Sequence, residues 1–407
     1  MEFFLICAGI AVIGLFAYMV QFTSVYSSLS SSSPPPSGEG AVSLSPSFSP
    51  PVSILKPLKG LDDNLFDNLA SFCMLDYPDY EIIFSVRNHN DPAYKIACMI
   101  KQAFPDRDIS VLVMCHDGGL NPKVNNLIPA YRIAKHPYIL VSDSNVQVER
   151  TYLADIMQHM ANPAVGLVSN MIRGVGGRSL GSVFENLHMN SFVLGSVCFL
   201  DRIVKMPCVI GKSMLMRRAD LDAIGGFDGV KDVLAEDYLI GRRMHESGKR
   251  VVLSNHMINN VNEFWGVRKF LNRHTRWAKL RWKIGGFRYV SELIGNPVFV
   301  ISLPLLLWEA NAITLSAASL VSLFKILGDY AIACRIAGDM SPFRYLLVPV
   351  KDIIIGLVWF IPLMSSTVTW RGNRYLVGKD SVLSPCQETV VSSLRYRLTS
   401  GILARLA

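Results

Sequence analysis

Four short stretches of this chain carry residue types that can do chemistry: "NDPA" with Asp91, "SDSN" with Asp143, "LAEDYLIG" with Glu236 and Asp237, and "RHTRW" with Arg273, Arg276 and Trp277. The second is the hardest to dismiss. The apolar run "YILVS" ends on Asp143-Ser144-Asn145, an acid, a hydroxyl and an amide, where a turn needs only one polar residue. A hard divalent cation takes oxygen ligands and leaves positions for water or phosphate oxygens. Asp143, with the amide oxygen of Asn145, therefore suffices for a metal site if a diphosphate supplies the rest. Glu236 and Asp237 fall early in a helix expected over 234–247. There an acid either favours the positive helix start or takes a proton from an attacking hydroxyl as general base. Arg273 and Arg276, spaced i, i+3, share a helical face beside Trp277. Such a face can neutralise a departing diphosphate, and it equally suits a helix lying at a lipid headgroup layer.

Weaker candidates surround these. Asp91 precedes Pro92 and reads as a helix cap before it reads as a ligand. "GGLNPKVNN" (118–126) sets Lys123 and Asn125 around a helix start, where a phosphate can lie, but a plain loop fits as well. His188 in "ENLHMN" is a lone histidine on a helical segment, open to a core, surface or acceptor-site role. The eight cysteines form no CxxC pair, which excludes a zinc ribbon or a disulfide framework and suits a domain facing a reducing cytosol.

The elements that must position these residues follow from hydrophobic periodicity. Strands are predicted at 52–56, 81–86, 109–114, 138–142 and 165–169, with helices near 63–75, 92–104, 123–135 and 150–161. This alternation predicts an α/β domain with a mostly parallel sheet and helices on both faces. In such sheets ligands sit beyond the carboxyl ends of the strands, where Asp91 and Asp143 fall.

Composition adds a membrane. Half of the 407 residues are hydrophobic and only 18% are charged, against about a quarter charged in ordinary soluble domains. Phe3 to Phe22 carries no charge over about twenty residues, the span of a hydrocarbon core. It lacks the basic start and cleavage site of a removed signal, so it reads as a retained anchor. The Ser/Pro-rich stretch 24–51 reads as a tether. Between Arg268 and Arg288 lie eight basic residues and no acid, a block suited to lipid phosphate or a phosphorylated substrate rather than to nucleic acid, since apolar sequence follows directly. Apolar segments near 294–308, 311–327 and 345–365 can enter a bilayer. Basic residues on both flanks favour the cytosolic side for each, which requires one segment to be re-entrant or interfacial. The predicted organisation is an anchor (1–23), a tether (24–51), the α/β domain (52–267), a basic interfacial segment (268–288), a membrane region (289–370) and a cytosolic tail (371–407).

In their order and spacing, the acids and the RxxRW segment resemble the D, D, D, [Q/R]xxRW pattern of inverting GT-A glycosyltransferases. Within them the chain resembles the ceramide glucosyltransferase family, in "ILKPLKGLD", "NDPA", "NPKVNNL", "SDS", "GKSMLMR", "GGF" and "AEDY" from about Val52 to Trp282. The resemblance implies a GT-A fold, UDP-glucose as donor, ceramide as acceptor and a divalent cation, Mg2+ or Mn2+. It also implies an integral membrane protein of the Golgi or ER with its catalytic domain facing the cytosol. By the same resemblance Asp91, Lys123 and Asn125 help hold the nucleotide sugar, and Asp143 the metal and diphosphate. Asp237 becomes the base, Arg273, Arg276 and Trp277 serve the diphosphate and membrane side, and His188 falls toward the acceptor. Position 273 is Arg, where processive synthases usually show Gln, which weakens a chain-elongating alternative. A non-catalytic nucleotide- or lipid-binding membrane protein is the rival from another class.

Overall fold

The computed structural model describes residues 1–30, 48–307, 310–370 and 373–386. An eight-stranded mixed sheet holds the chemistry-bearing loops. Its strands are β1 (Val52–Pro57), β2 (Tyr80–Val86), β3 (Asp108–Val113), β4 (Tyr138–Ser142), β5 (Val146–Gln147), β6 (Val165–Val175), β7 (Ser213–Arg217) and β8 (Arg250–Val261), in the order β3-β2-β1-β4-β7-β6-β8-β5. The first four run parallel. β7 is antiparallel to both β4 and β6, β8 runs parallel to β6, and β5 is antiparallel to β8. The sheet is thus parallel in one half only. β1, β2 and β4 are buried throughout, as strands covered on both faces must be, and this is why they read as continuous apolar runs. Alternate residues divide between two cores: Ile54, Ile82 and Leu140 face one, Leu55, Ile83 and Ile139 the other.

Helices α2 (Leu65–Cys73), α3 (Pro92–Ala103), α4 (Pro122–Ile133) and α5 (Tyr152–His159) cover the sheet. Asn121 caps α4 by accepting from the Lys123 and Val124 amides at 2.9 and 3.1 Å. The start of α4 is therefore self-satisfied and does not present these amides to a phosphate.

The helical bundle begins with α1 (Glu2–Ser30). This helix runs past residue 23, so the tether expected from residue 24 starts later than its composition suggested. Residues 31–47 lie outside the described residues. α6 (Leu180–His188) and α7 (Leu194–Phe199) join through a π-helical turn into one helix, Leu180–Val204, that packs on α1. Next come α8 (Arg218–Ala223), α9 (Glu236–Glu246), α10 (Val267–Gly285), α11 (Val290–Ile294), α12 (Pro297–Leu306), α13 (Ala312–Arg335), α14 (Val348–Val358) and α15 (Ile361–Met364).

Among the described residues four helices are long and apolar enough to cross a membrane: Glu2–Ser30, Leu180–Val204, Ala312–Arg335 and Pro342–Met364. The pair Val267–Ile294 and Pro297–Leu306, bent by 68°, has the form of a broken or re-entrant segment. Sequence reading missed Leu180–Val204 because its interior is mixed with buried Glu185, Asn186 and His188.

The segment after the bundle departs from the expected tail. β9 (Thr367–Trp370), β10 (Asn373–Val377) and β11 (Leu383–Pro385) form a small antiparallel sheet. It docks against the stretch before α9: the Leu234 amide donates to the Ser381 carbonyl at 2.9 Å and the Leu383 amide to the Asp232 carbonyl at 2.7 Å. The remainder of the tail, 387–407, lies outside the described residues, as does Glu309.

Candidate active site

The carboxyl end of β4, the loop before β7, the start of α9 and one face of α10 meet around a cleft of about 600 Å³. Asp143, Asn145, Lys123, Asp237, Arg273, Arg276 and Trp277 all line it. So does Glu236, and so do Asp62, Gly211, Lys212 and Trp265, which sequence reading did not single out as site residues.

Charge pairing sets the floor of the cleft. The buried Lys123 ammonium lies 2.9 Å from the Asp143 carboxylate and 2.9 Å from that of Glu236, and donates to the Gly211 carbonyl at 2.8 Å. Burial disfavours its charge, but the Asp143, Glu236 and Asp237 carboxylates outweigh burial and hold its pKa above the usual lysine range. Lys212 donates to the Asn145 amide oxygen at 2.8 Å and to the other Asp143 oxygen at 3.4 Å. Burial brings that ammonium down to about 8 despite the Asp143 charge. From below, the fully buried Lys56 donates to the Asp143 carbonyl at 2.9 Å and sits 3.5 Å over the Phe72 ring.

Asp237 is held by two backbone amides, Gly211 at 2.9 Å and Tyr238 at 2.8 Å. A Cβ on Gly211 would lie 2.6 Å from its Oδ2, so only glycine admits the carboxylate here. Burial pushes the Asp237 carboxyl up to about 6, the neighbouring Glu236 charge adds to the shift, and Lys123 opposes it. A carboxylate so tuned can accept a proton near neutral pH.

Across the cleft, the Arg273 guanidinium stacks 4.3 Å from the Trp277 ring and 5.1 Å from that of Trp265. It pairs at 3.1 Å with Glu185, which is fully buried and also meets His274 at 2.8 Å. Arg276 lies 5.7 Å from the Trp370 ring, supplied by β9. The remaining wall is apolar, with Val193, Val197, Val209, Ile210 and Leu280. Charged on one side and apolar toward the helical bundle, the cleft suits a charged ligand meeting an apolar one.

Three expected site residues lie elsewhere. Asp91 caps α3 through the Ala93 amide at 2.9 Å and also accepts from the Gly60 amide at 2.8 Å, so it pins the loop that carries Asp62 rather than lining the cleft. Asn125 donates to the Gly119 carbonyl and accepts from its amide, stapling the 118–121 loop. His188 is buried behind the cleft, stacked on Phe192 and edge-on to His274 at 4.6 Å between ring centroids.

A divalent cation can be tested against this donor set. Among the described residues no three His, Cys, Asp or Glu side chains gather as a metal site. Yet the Asp143 and Asn145 oxygens, hard donors both, already converge on one positive charge, the Lys212 ammonium. The residues fit a cation that takes its other ligands from a diphosphate.

The mixed sheet, with its acids at the strand ends and its cleft facing apolar helices, defines a GT-A glycosyltransferase domain carried on a membrane bundle. The chain belongs to glycosyl transferase family 21, whose model matches residues 6–383. It is 28% identical to ceramide glucosyltransferase 3 of Caenorhabditis elegans, covering 80% of this chain and 72% of that protein. Ceramide glucosyltransferase 1 of the same organism is 25% identical over 80% of this chain and 71% of its own length. A ceramide glucosyltransferase of Komagataella phaffii is 30% identical over 46% of this chain and 42% of that one. In fold, the chain is similar to the mannosyltransferase PcManGT from Pyrobaculum calidifontis, solved with GDP-Man and Mn2+, at a TM-score of 0.50 and 16% identity over 88% of this chain and 98% of that one.

Proposed function

We propose that this protein transfers glucose from UDP-glucose to the primary hydroxyl of ceramide, with inversion, giving glucosylceramide and UDP. One observation carries the reading: the half-buried Asp237, with its carboxyl at about 6, shares a cleft with a diphosphate-suited cluster of Lys212, Arg273 and Arg276, and the free wall of that cleft is apolar. The ceramide glucosyltransferase relatives supply the sugar and the lipid.

In this reading the UDP diphosphate lies among Lys212, Arg273 and Arg276, whose charges offset the negative charge that grows on the leaving group. A divalent cation held by Asp143 and Asn145 would add Lewis-acid stabilisation of the same oxygens. Asp91 contributes through Gly60, keeping the loop that carries Asp62 at the cleft edge. The ceramide hydroxyl approaches from the apolar wall, opposite the diphosphate, and attacks the anomeric carbon as its proton passes to Asp237. The C–O bond to UDP breaks as the new glycosidic bond forms, and backside attack inverts the centre. Holding the two partners in line supplies much of the acceleration. With the catalytic domain on the cytosolic face of a Golgi or ER membrane, a soluble donor and a lipid acceptor meet at one boundary.

The test offers purified protein in nanodiscs labelled UDP-glucose with ceramide, diacylglycerol or sterol. Glucosylceramide is the expected product. Asp237→Asn is expected to lower transfer by about 10²–10⁴-fold, the usual weight of a general base, while UDP affinity stays within twofold. Near wild-type transfer by this variant would remove Asp237 from the role.

A further inference from the structure

The mouth of the cleft carries an apolar lip. Asp62 and Trp265 line the cleft, and the residues just before them, Leu61 and Phe264, are 63% and 62% exposed. Hydrogen bonds tie these two stretches together: Asp63 accepts from the Glu263 and Phe264 amides at 2.7 and 3.2 Å, and Asn64 donates to the Glu263 carboxylate at 2.7 Å. The lip continues through Arg178, whose guanidinium lies 5.7 Å from the Phe264 ring and 3.4 Å from the Glu263 carboxylate, to the exposed Leu180. The Arg344 guanidinium donates to the Gly177 carbonyl, which brings the exposed Phe343 and Leu346 to the same edge. Large apolar side chains scattered singly over a surface need no partner, but a contiguous run of them marks a place where something docks.

Two observations name the partner. Three of the segments apolar enough to enter a membrane begin at this lip: Leu180–Val204 at Leu180 itself, the bent pair at Val267, three residues after Phe264, and Pro342–Met364 one residue before Phe343. A segment that enters a bilayer starts at the bilayer surface, so their common start puts the lip at that level. The charge around the lip is also of one sign. Arg178, Arg268 and Lys269 are exposed beside it, while the nearby acids Asp63, Glu263 and Asp339 are engaged with backbone amides or with Arg178. Apolar side chains flanked by cations match a layer that offers acyl chains below its phosphates.

We propose that this lip lies in the headgroup layer of the host bilayer and presses the mouth of the cleft onto lipid, so that the acceptor reaches the cleft without crossing water. The inference rests on the reading of the acceptor as a membrane lipid.

The test uses full-length protein in nanodiscs. The cysteines that are not buried, Cys98, Cys115, Cys334 and Cys386, are changed to serine, and a bimane fluorophore is placed on Leu61→Cys or Phe264→Cys. Lipids brominated along their acyl chains are expected to quench it at least twofold at both positions, relative to unbrominated lipids. In the native background, Phe264→Ser is expected to raise the KM for long-chain ceramide at least fivefold with the donor KM within twofold. That defect is expected to vanish with a short-chain ceramide dispersed in water, and Phe264→Leu restores most of the loss. Failure of quenching at one position or both overturns the proposal. So does quenching that appears only when residues 387–407 are removed, which would make that tail the occupant. A Phe264→Ser protein with an unchanged ceramide KM, or with an equal defect for both ceramides, overturns it as well. Quenching without transfer to ceramide would overturn the functional reading alone; transfer to ceramide without quenching would overturn the docking alone.

Discussion

At the scale of single residues, the cleft turns on how Lys123 is shared. Its ammonium joins the Asp143 and Glu236 carboxylates while its charge tempers the rise of Asp237. A base must be ionised to work, so with Asp237 at about 6 the rate is expected to fall as pH drops below that value. A kcat/KM profile should show this acid limb. Lys123→Met removes the opposing charge, and the limb is expected to move to higher pH. The same change leaves the buried Glu236 carboxylate without its ion pair, which typically costs about 3–5 kcal/mol, read as a lower unfolding temperature. An acid limb that stays in place would separate Lys123 from the base. Asp143 and Asp237, which share the cleft, stood out as candidates because acids closing apolar runs break the local pattern. Lys212 and Gly211 did not. Nothing in "GKSMLMR" says that its lysine turns back toward Asn145, or that its glycine admits a carboxylate 26 positions later.

Among elements, α10 does the most to join the two halves of the molecule. It carries Arg273, Arg276 and Trp277 into the cleft while Glu185 of α6 holds Arg273 from behind. Glu185→Gln weakens that hold without removing the guanidinium. It is expected to lower kcat about tenfold or more and to lower the unfolding temperature as well, since the buried guanidinium loses its counter-charge. Arg273→Lys loses the planar stacking between Trp265 and Trp277 and is expected to do worse, because a lysine cannot replace a stacked, forked guanidinium. Single-turnover rates with labelled donor would measure both. The strands of the parallel half were readable because burial on two faces makes them continuously apolar. β7 and β8 escaped notice: their polarity varies along the strand, and antiparallel insertion depends on distant partners. At Asp91 the helix cap expected from Asp-Pro is present, and the same carboxylate also accepts from the Gly60 amide, a contact the local sequence did not announce.

For the whole molecule, α1 is more than an anchor. Tyr18 donates to Asp329 of α13 at 2.9 Å, and Val25 packs with Leu194 and Cys198. Deleting residues 1–30 is therefore expected to destabilise the bundle rather than release a soluble enzyme. Supplying α1 as a separate peptide in the same membrane should restore part of the activity; full activity in the deletion alone would contradict this packing. Hydropathy revealed that helices were present, but not which ones touch, because lipid-facing and bundle-facing surfaces are equally apolar.

The small sheet after the bundle sets a condition on timing. β11 fastens Asp232 and its loop fastens Leu234, just ahead of Asp237, the base we propose. A ribosome must therefore release residue 383 before the segment bearing Asp237 is braced, by which point every long apolar helix among the described residues has already been made. We expect chains ending at Met364 to insert normally yet turn over poorly, as judged by membrane extraction alongside transfer assays. Sugar transfer would then begin only once the protein is seated in its bilayer, sparing the cell a half-built enzyme that consumes donor with no lipid in reach.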